Sequence, residues 1–169
     1  MKTIYLAGGC FWGVEHFFSL VKGVEKTTVG YGNSDVCSPS YETVKANKTT
    51  AAETVEVIFD ENVISLREIL KLFFRIIDPT VLDRQAHDEG HQYRTGIYYI
   101  DEKDVSIIDE VVKEESLKYD LPIVTEVVKL DNFYKAEDYH QEYLYKNPDG
   151  YCHISPEMFE MARKYKTTD

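Results

Sequence analysis

Cysteine is scarce in this chain: three in 169 residues, an odd number, too few to staple a disulfide scaffold. Glycine and proline are also few, nine and five, which removes collagen-like and low-complexity readings. No apolar run approaches the ~20 residues that a bilayer-spanning helix needs. The opening MKTIYLAGGCFWG holds one lysine and a few apolar residues before two glycines; it is too short for a signal peptide and reads as a first strand. Basic residues are outnumbered, 19 Lys and Arg against 30 Asp and Glu, for a net charge of −11. So acidic a surface grips phosphate backbones and anionic membranes poorly, because both need clustered Lys or Arg. Neither nucleic acid nor membrane is an expected partner, and the expected compartment is the reducing cytoplasm. Walker loop, GxGxxG, GxSxG, HExxH and CxxC are all missing, which removes the common nucleotide, acyl-transfer and zinc readings. His87 and His91 are four apart, but Asp88-Glu89-Gly90 between them is a poor helix, so no metal is expected.

What is present belongs to an ordered globular protein, with 43% hydrophobic and 29% charged residues. The length fits a single domain over residues 1–169, burying roughly two-thirds of the unfolded surface. Periodicity predicts strands over 2–7, 25–31, 54–59, 94–100 and 123–130. Helices are expected from Phe11 or Trp12 to about Val21, from Ser65 to about Ile77, and from Lys103 to about Tyr119. The second is the clearest, since Ser65 and Glu68 have capping-box spacing and Leu66, Ile69, Leu70, Phe73 and Ile77 share one face. A further short helix is expected around 136–145, then a turn at Asn147-Pro148-Asp149-Gly150 and a tail. The order is β-α-β-β-α-β plus an α-β unit, and its first six elements match a ferredoxin-like split βαβ arrangement. Two connections, 32–53 and 78–93, are longer than the ~12–15 residues usual in a compact domain. They read either as site-bearing loops or as disordered insertions.

Cys10 stands between a strand, a Gly-Gly break and a helix start. Free N–H groups and the positive end of the helix favour thiolate there, so the sulfur is expected to be nucleophilic. Phe11 and Trp12 would set two aromatic faces beside it. Glu53 lies just before the third predicted strand; a carboxyl among aromatics has its pKa raised and can donate a proton near neutrality. Tyr41, Asp88 and Tyr93 lie in the long connections and offer hydroxyls and an acceptor. Cys152 follows a turn-rich, mobile-looking segment that suits a resolving thiol, and Cys37 reads as exposed. On these grounds alone, a buried structural Cys10 and a solvated strand-end Glu53 stay open as alternatives.

From GGCFWGVE at 8 to 15 onward, the chain resembles the A-type peptide methionine sulfoxide reductases. The likeness continues through VGYG at 29 to 32, PSYETV at 39 to 44, AETVEVIFD at 52 to 60, DPT at 78 to 80 and RQ at 84 to 85. It ends with DEGHQYRTGIYY at 88 to 99 and AEDYHQEYLYKNPDGYC at 136 to 152. The resemblance implies an α/β sandwich with a ferredoxin-like core, and reduction of methionine S-sulfoxide without metal or organic cofactor. Cys10 then matches the nucleophile that attacks the sulfoxide sulfur and becomes a sulfenic acid. Phe11 and Trp12 match the pocket for the S-methyl group, and Glu53 the acid for the sulfoxide oxygen. Tyr41 and Tyr93 match two hydroxyls that bind that oxygen, and Asp88 the residue facing the substrate's backbone amide. Cys152 matches the recycling cysteine, whose disulfide with Cys10 thioredoxin reduces. The chain departs from the family in carrying Thr49-Thr50-Ala51-Ala52-Glu53 where TGHAE is common, and His91 where Thr is frequent. It has no cysteine after Cys152, so the implied relay uses two thiols in one chain, with a monomer as the expected state. A thiol peroxidase is the alternative enzyme, and a non-catalytic module that captures oxidised methionine the alternative outside enzymes.

Overall fold

The computed structural model describes residues 1–167. The chain forms a mixed α/β fold in which one six-stranded sheet carries helices on its main face. In chain order come β1 (Lys2–Gly8), α1 (Phe11–Ser19), β2 (Val24–Gly32), α2 (Tyr41–Lys45), β3 (Ala52–Phe59) and α3 (Leu66–Arg75). They are followed by the short hairpin β4 (Arg84–Gln85) and β5 (Asp88–Glu89), then β6 (Thr95–Tyr99), α4 (Val105–Ser116), β7 (Glu126–Lys129) and β8 (Phe133–Lys135). The chain closes with α5 (Tyr143–Lys146) and α6 (Pro156–Lys164). The strand order is β7-β6-β1-β3-β2-β8. All neighbours are antiparallel except β6 and β7, which are parallel.

Alternation along β1 and β3 sends Ile4, Leu6, Val55, Val57 and Phe59 to one face, where they meet Val14, Phe17 and Phe18 of α1 and Ile69, Leu70 and Phe73 of α3. Ile108 and Val111 of α4 join the same core. The opposite face holds only a small cluster of Ala7, Ala52 and Tyr98, flanked by Tyr5 and Leu130. The predicted capping box is present: the Ser65 hydroxyl accepts the Glu68 N–H and the Glu68 carboxylate accepts the Ser65 N–H, satisfying donors that a helix start leaves free.

Two expectations are corrected. The segment 136–145 is not a continuous helix. Residues 133–135 pair with β2, a 3₁₀ turn covers Asp138–His140, and one α-turn follows at Tyr143–Lys146. Glu142, at φ 52°, is in the left-handed region and breaks any helix through it. Long-range bonds explain the outcome, since backbone groups that bond to β2 and α1 are not available to an i→i−4 ladder. The tail after Cys152 forms α6, which has Pro156 in its first turn, a position proline suits, and which buries Ala162. The long connections are ordered. The first is cross-linked by Ser34–Thr49 at 2.7 Å and by the Thr50 N–H to Asp35 Oδ1 at 2.9 Å. In the second, Gln85 accepts the Asp78 N–H and donates to the Asp78 carbonyl, both at 2.8 Å.

The Gln141 side chain fastens the C-terminal strap to β2. It accepts the Val29 N–H at 2.9 Å and donates to the Val29 and Ala136 carbonyls at 2.8 and 3.0 Å. Gln141→Ala strands these groups, at an expected cost of about 1–3 kcal/mol. A urea melt with a lower midpoint and an unchanged slope is the expected outcome.

Candidate active site

Antiparallel pairing brings the chemistry to one end of the sheet. Leu6 faces Val55, Tyr31 faces Glu53, and Gly8 faces Thr95. The ends of β1 and β2 therefore lie beside the starts of β3 and β6. Cys10 follows β1, Tyr41 follows β2, Glu53 is the second residue of β3 rather than a residue before it, and Tyr93 lies two residues before β6. Along β3, Glu53 shares the period-two alternation of Val55, Val57 and Phe59, so its carboxyl is on the helix-covered face.

Cys10 is the N-cap of α1 and is 8% exposed. One residue on, the Phe11 N–H donates to Glu53 Oε1 at 3.2 Å, while Gln92 Nε2 donates to Glu53 Oε2 at 2.7 Å. Burial pushes the Glu53 carboxyl up to about 7; these two donors pull it back and the Asp88 charge adds to the rise. The same environment overturns the expected thiolate at Cys10. Burial, then the Glu53 charge, raise the thiol well above its usual range, and the Trp12 N–H at the helix start only partly opposes them. The helix end does act on the sulfur, but desolvation is the larger effect. A protonated Glu53 carries no charge and no longer adds to that rise.

Tyr41 and Tyr93 interact through their side chains, and burial pushes Tyr41 up to about 12. Burial followed by the Glu53 charge raises Tyr93 as well, so both hydroxyls hold their protons at neutral pH. Asp88 lies half-buried on β5 with Oδ2 lacking a hydrogen-bond partner among the described residues; burial raises its pKa, and interactions with Tyr151, His153 and His87 oppose this. Phe11 is buried, its ring 5.8 Å from Tyr31 and 5.2 Å from His140. Trp12 is half-buried, stacks on Tyr143 at 3.7 Å and donates from Nε1 to His140 Nδ1 at 2.9 Å.

All three cysteines are free thiols, and Cys37 is exposed. Cys152 is half-buried and packed, not loose: it interacts electrostatically with Cys10 and accepts the Ile154 N–H at 3.3 Å. Its seat is the bare backbone of Gly13, where a Cβ would lie 2.6 Å from the Cys152 sulfur. Gly13 is three residues after Cys10, so both thiols lie along one side of α1. No cluster of three or more His, Cys, Asp or Glu among the described residues has the geometry of a metal site.

Sequence reasoning missed several supporting groups. Gln92 grips Glu53. Glu137 accepts the Tyr31 hydroxyl at 2.7 Å and the Tyr41 N–H at 3.0 Å. His140 is 1% exposed and orients Trp12. Glu15, on α1, accepts the Glu142 N–H at 2.7 Å and the Thr27 hydroxyl at 3.1 Å. Their partners lie far along the chain, so no local pattern marks them.

Two outcomes follow from this geometry. Gly13→Ala fills the seat of Cys152, and alkylation of Cys152 in the reduced chain is expected to become several-fold faster, read by mass spectrometry over time. Burial pushes Glu15 from the ordinary 4.5 up to about 7, against the pull of its two donors. The folded chain thus holds the proton more tightly than the unfolded one. Its stability, measured against Glu15→Gln, falls as pH rises from 4.5 to 7 and then levels off, by up to ~3 kcal/mol. Urea melts of both proteins across that range check the sign.

The family model for peptide methionine sulfoxide reductase matches residues 2–169. The peptide methionine sulfoxide reductase MsrA of Clostridium tetani is 57% identical over 155 residues, covering 92% of this chain and 94% of its own length. Among solved structures, Mxr1 from Saccharomyces cerevisiae in reduced form superposes with a TM-score of 0.86 at 38% identity, over 91% of each chain. Mxr1 in complex with Trx2 superposes at 0.61, with 28% identity over 84% of each chain. A buried cysteine and carboxyl at the sheet end, in a chain this similar throughout, make it a member of the peptide methionine sulfoxide reductase family and an enzyme that reduces methionine sulfoxide.

Proposed function

We propose that the Cys10–Glu53 site reduces the S epimer of methionine sulfoxide, free or in proteins, in two chemical steps. The observation that carries this is a carboxyl with a pKa of about 7, bonded to the backbone N–H of Phe11 next to the thiol. The substrate's S-methyl group packs against Phe11 and Trp12, its backbone amide faces Asp88, and its oxide turns to Glu53, Tyr41 and Tyr93. Glu53 donates its proton to the oxide and, as a carboxylate, takes the thiol proton of Cys10. The Cys10 sulfur attacks the sulfoxide sulfur; methionine leaves with two electrons gained, and the oxygen ends on Cys10 as a sulfenic acid. The raised pKa of the Cys10 thiol fits this order, in which the thiol proton moves as the oxide receives one from Glu53.

Cys152 then forms a disulfide with Cys10, which a thioredoxin reduces. The complex of Mxr1 with Trx2 supports that reductant for this chain. So does the place of Cys152 in a groove of about 650 Å³ between α1, α5 and α6, lined by His16, Tyr145 and Phe159. Cys37 is exposed beside Ser38 and Tyr134, and the relay assigns it no role. The thiol peroxidase reading is not favoured: peroxide needs neither an aromatic methyl slot nor paired tyrosines about an acid. We further infer one domain over 1–169, of which 168–169 lie outside the described residues, acting as a monomer in the cytoplasm without metal or organic cofactor. The order β6-β1-β3-β2, antiparallel throughout, supports reading the four central strands as a ferredoxin-like core, with α4–β7 and β8 added at its edges.

Pre-reduced protein, given each epimer with no added reductant, is expected to release one methionine per chain from S alone and to lose two thiols. The methionine-forming rate should fall as pH rises through about 7, where Glu53 loses its proton. Glu53→Gln should lose that pH dependence and on the order of 10²–10⁴-fold in rate. A faster reaction with peroxide than with sulfoxide overturns the reading.

A further inference from the structure

His153 has no part in the chemistry above, yet it follows one reacting cysteine in the chain and lies against the residue before the other. It directly follows Cys152, and its ring lies over Gly9, the residue before Cys10. A Cβ at Gly9 would be 3.0 Å from His153 Cε1 and 3.1 Å from Nε2. Gly9 is at φ 84°, so the bare backbone serves both the turn into α1 and the approach of the ring. Both ring nitrogens are sealed from water with only the Gly8 backbone to interact with, and Asp88 Oδ2 nearby is buried without a hydrogen-bond partner among the described residues. A neutral imidazole carries one donor and one acceptor, and leaving either sealed from water is unfavourable. At rest the Gly8 backbone serves at most one of the two nitrogens.

The groups facing it are few. Asp88 on β5 and the Gly8 backbone at the end of β1 favour its charged form, whereas burial, the largest effect, keeps it neutral. Gln85 on β4 packs on Gly9 beside it. Tyr151 and Cys152 precede it in the chain, and His87 acts on it only through Asp88. The ring is thus an uncharged base on the residue next to a thiol whose own proton is held tightly, since burial raises Cys152 too.

We propose that His153 is the proton carrier of the resolving step, an inference that rests on the two-step reading above. The Cys152 thiol gives its proton to the His153 imidazole. The freed electron pair on the Cys152 sulfur attacks the Cys10 sulfur of the sulfenic acid, the S–S bond forms and the S–O bond breaks. The departing hydroxide takes the proton from the imidazolium and leaves as water. Cys152 is oxidised, the sulfenic sulfur is reduced, and no outside reagent enters. The position explains why one ring can do both: it is covalently tied to the attacking cysteine and rests against the backbone that carries the attacked one.

Single-turnover reactions of pre-reduced protein with a methionine-S-sulfoxide peptide separate the steps, with methionine release reporting the first and loss of the second thiol the second. In His153→Gln, methionine should still be released in one burst, which also shows that the variant is folded. Loss of the second thiol should slow on the order of 10²-fold, and its fall at acid pH, where the wild-type ring is charged, should disappear. Added imidazole should restore part of the rate in His153→Ala. An unchanged second step with an unchanged pH profile overturns the proposal, as does equal slowing of both steps, which marks His153 as a packing residue over Gly9. Wild-type protein that releases no methionine fails the two-step reading itself, a result distinct from either.

Discussion

A carboxyl is buried where two hydrogen bonds are all that sustain it, and the rest of the site is arranged around that fact. Glu53 could have been solvated at a strand end. Instead β3 alternation turns it under the helices, with one oxygen on the Phe11 N–H and the other on Gln92. Burying such a group is unfavourable unless it is bonded or protonated, and here it is both partly bonded and raised to about 7. The first bond ties Glu53 to the start of α1, so the carboxyl and the Cys10 thiol share one rigid corner. The second ties it to the turn that carries Tyr93. Any displacement of β3 relative to α1 changes acid, thiol and hydroxyl together.

The thiol is correspondingly quiet at rest. A helix N-terminus is usually taken to activate a cysteine, but here burial and the neighbouring carboxyl outweigh it. The C-terminal strap, residues 136–146, completes the corner with only a 3₁₀ turn and one α-turn of its own. Gln141 fastens it to β2, Glu137 to Tyr31 and Tyr41, Glu15 to Glu142, and His140 to Trp12. Each handle is a side chain bonding a backbone group or another side chain over a sequence separation of about a hundred residues.

Much of this was legible beforehand where the signal was local. The strands alternate, the helix from Ser65 carries its cap, and Cys10 stands at a Gly-Gly break that only a strand-to-helix turn explains. The strap was misjudged because its apolar spacing resembles a helix while its hydrogen bonds go elsewhere. The tail was passed over because its proline reads as a breaker until the start of α6 places it in a first turn, where proline is tolerated.

The amino-acid sequence by itself determined which groups are available and in what order: a thiol after the first strand, an acid at the third, hydroxyls in the connections, and a second thiol near the end. It also determined the local periodicities that make each element. Only the tertiary structure decided what those groups are worth. The pKa of Glu53, the reluctance of Cys10, the seat of Cys152 on Gly13 and the position of His153 over Gly9 all depend on how much water the packed chain excludes. They depend equally on which distant charges it brings within a few ångströms. Desolvation and Coulomb interactions act through space, and no pattern read along a chain contains those distances.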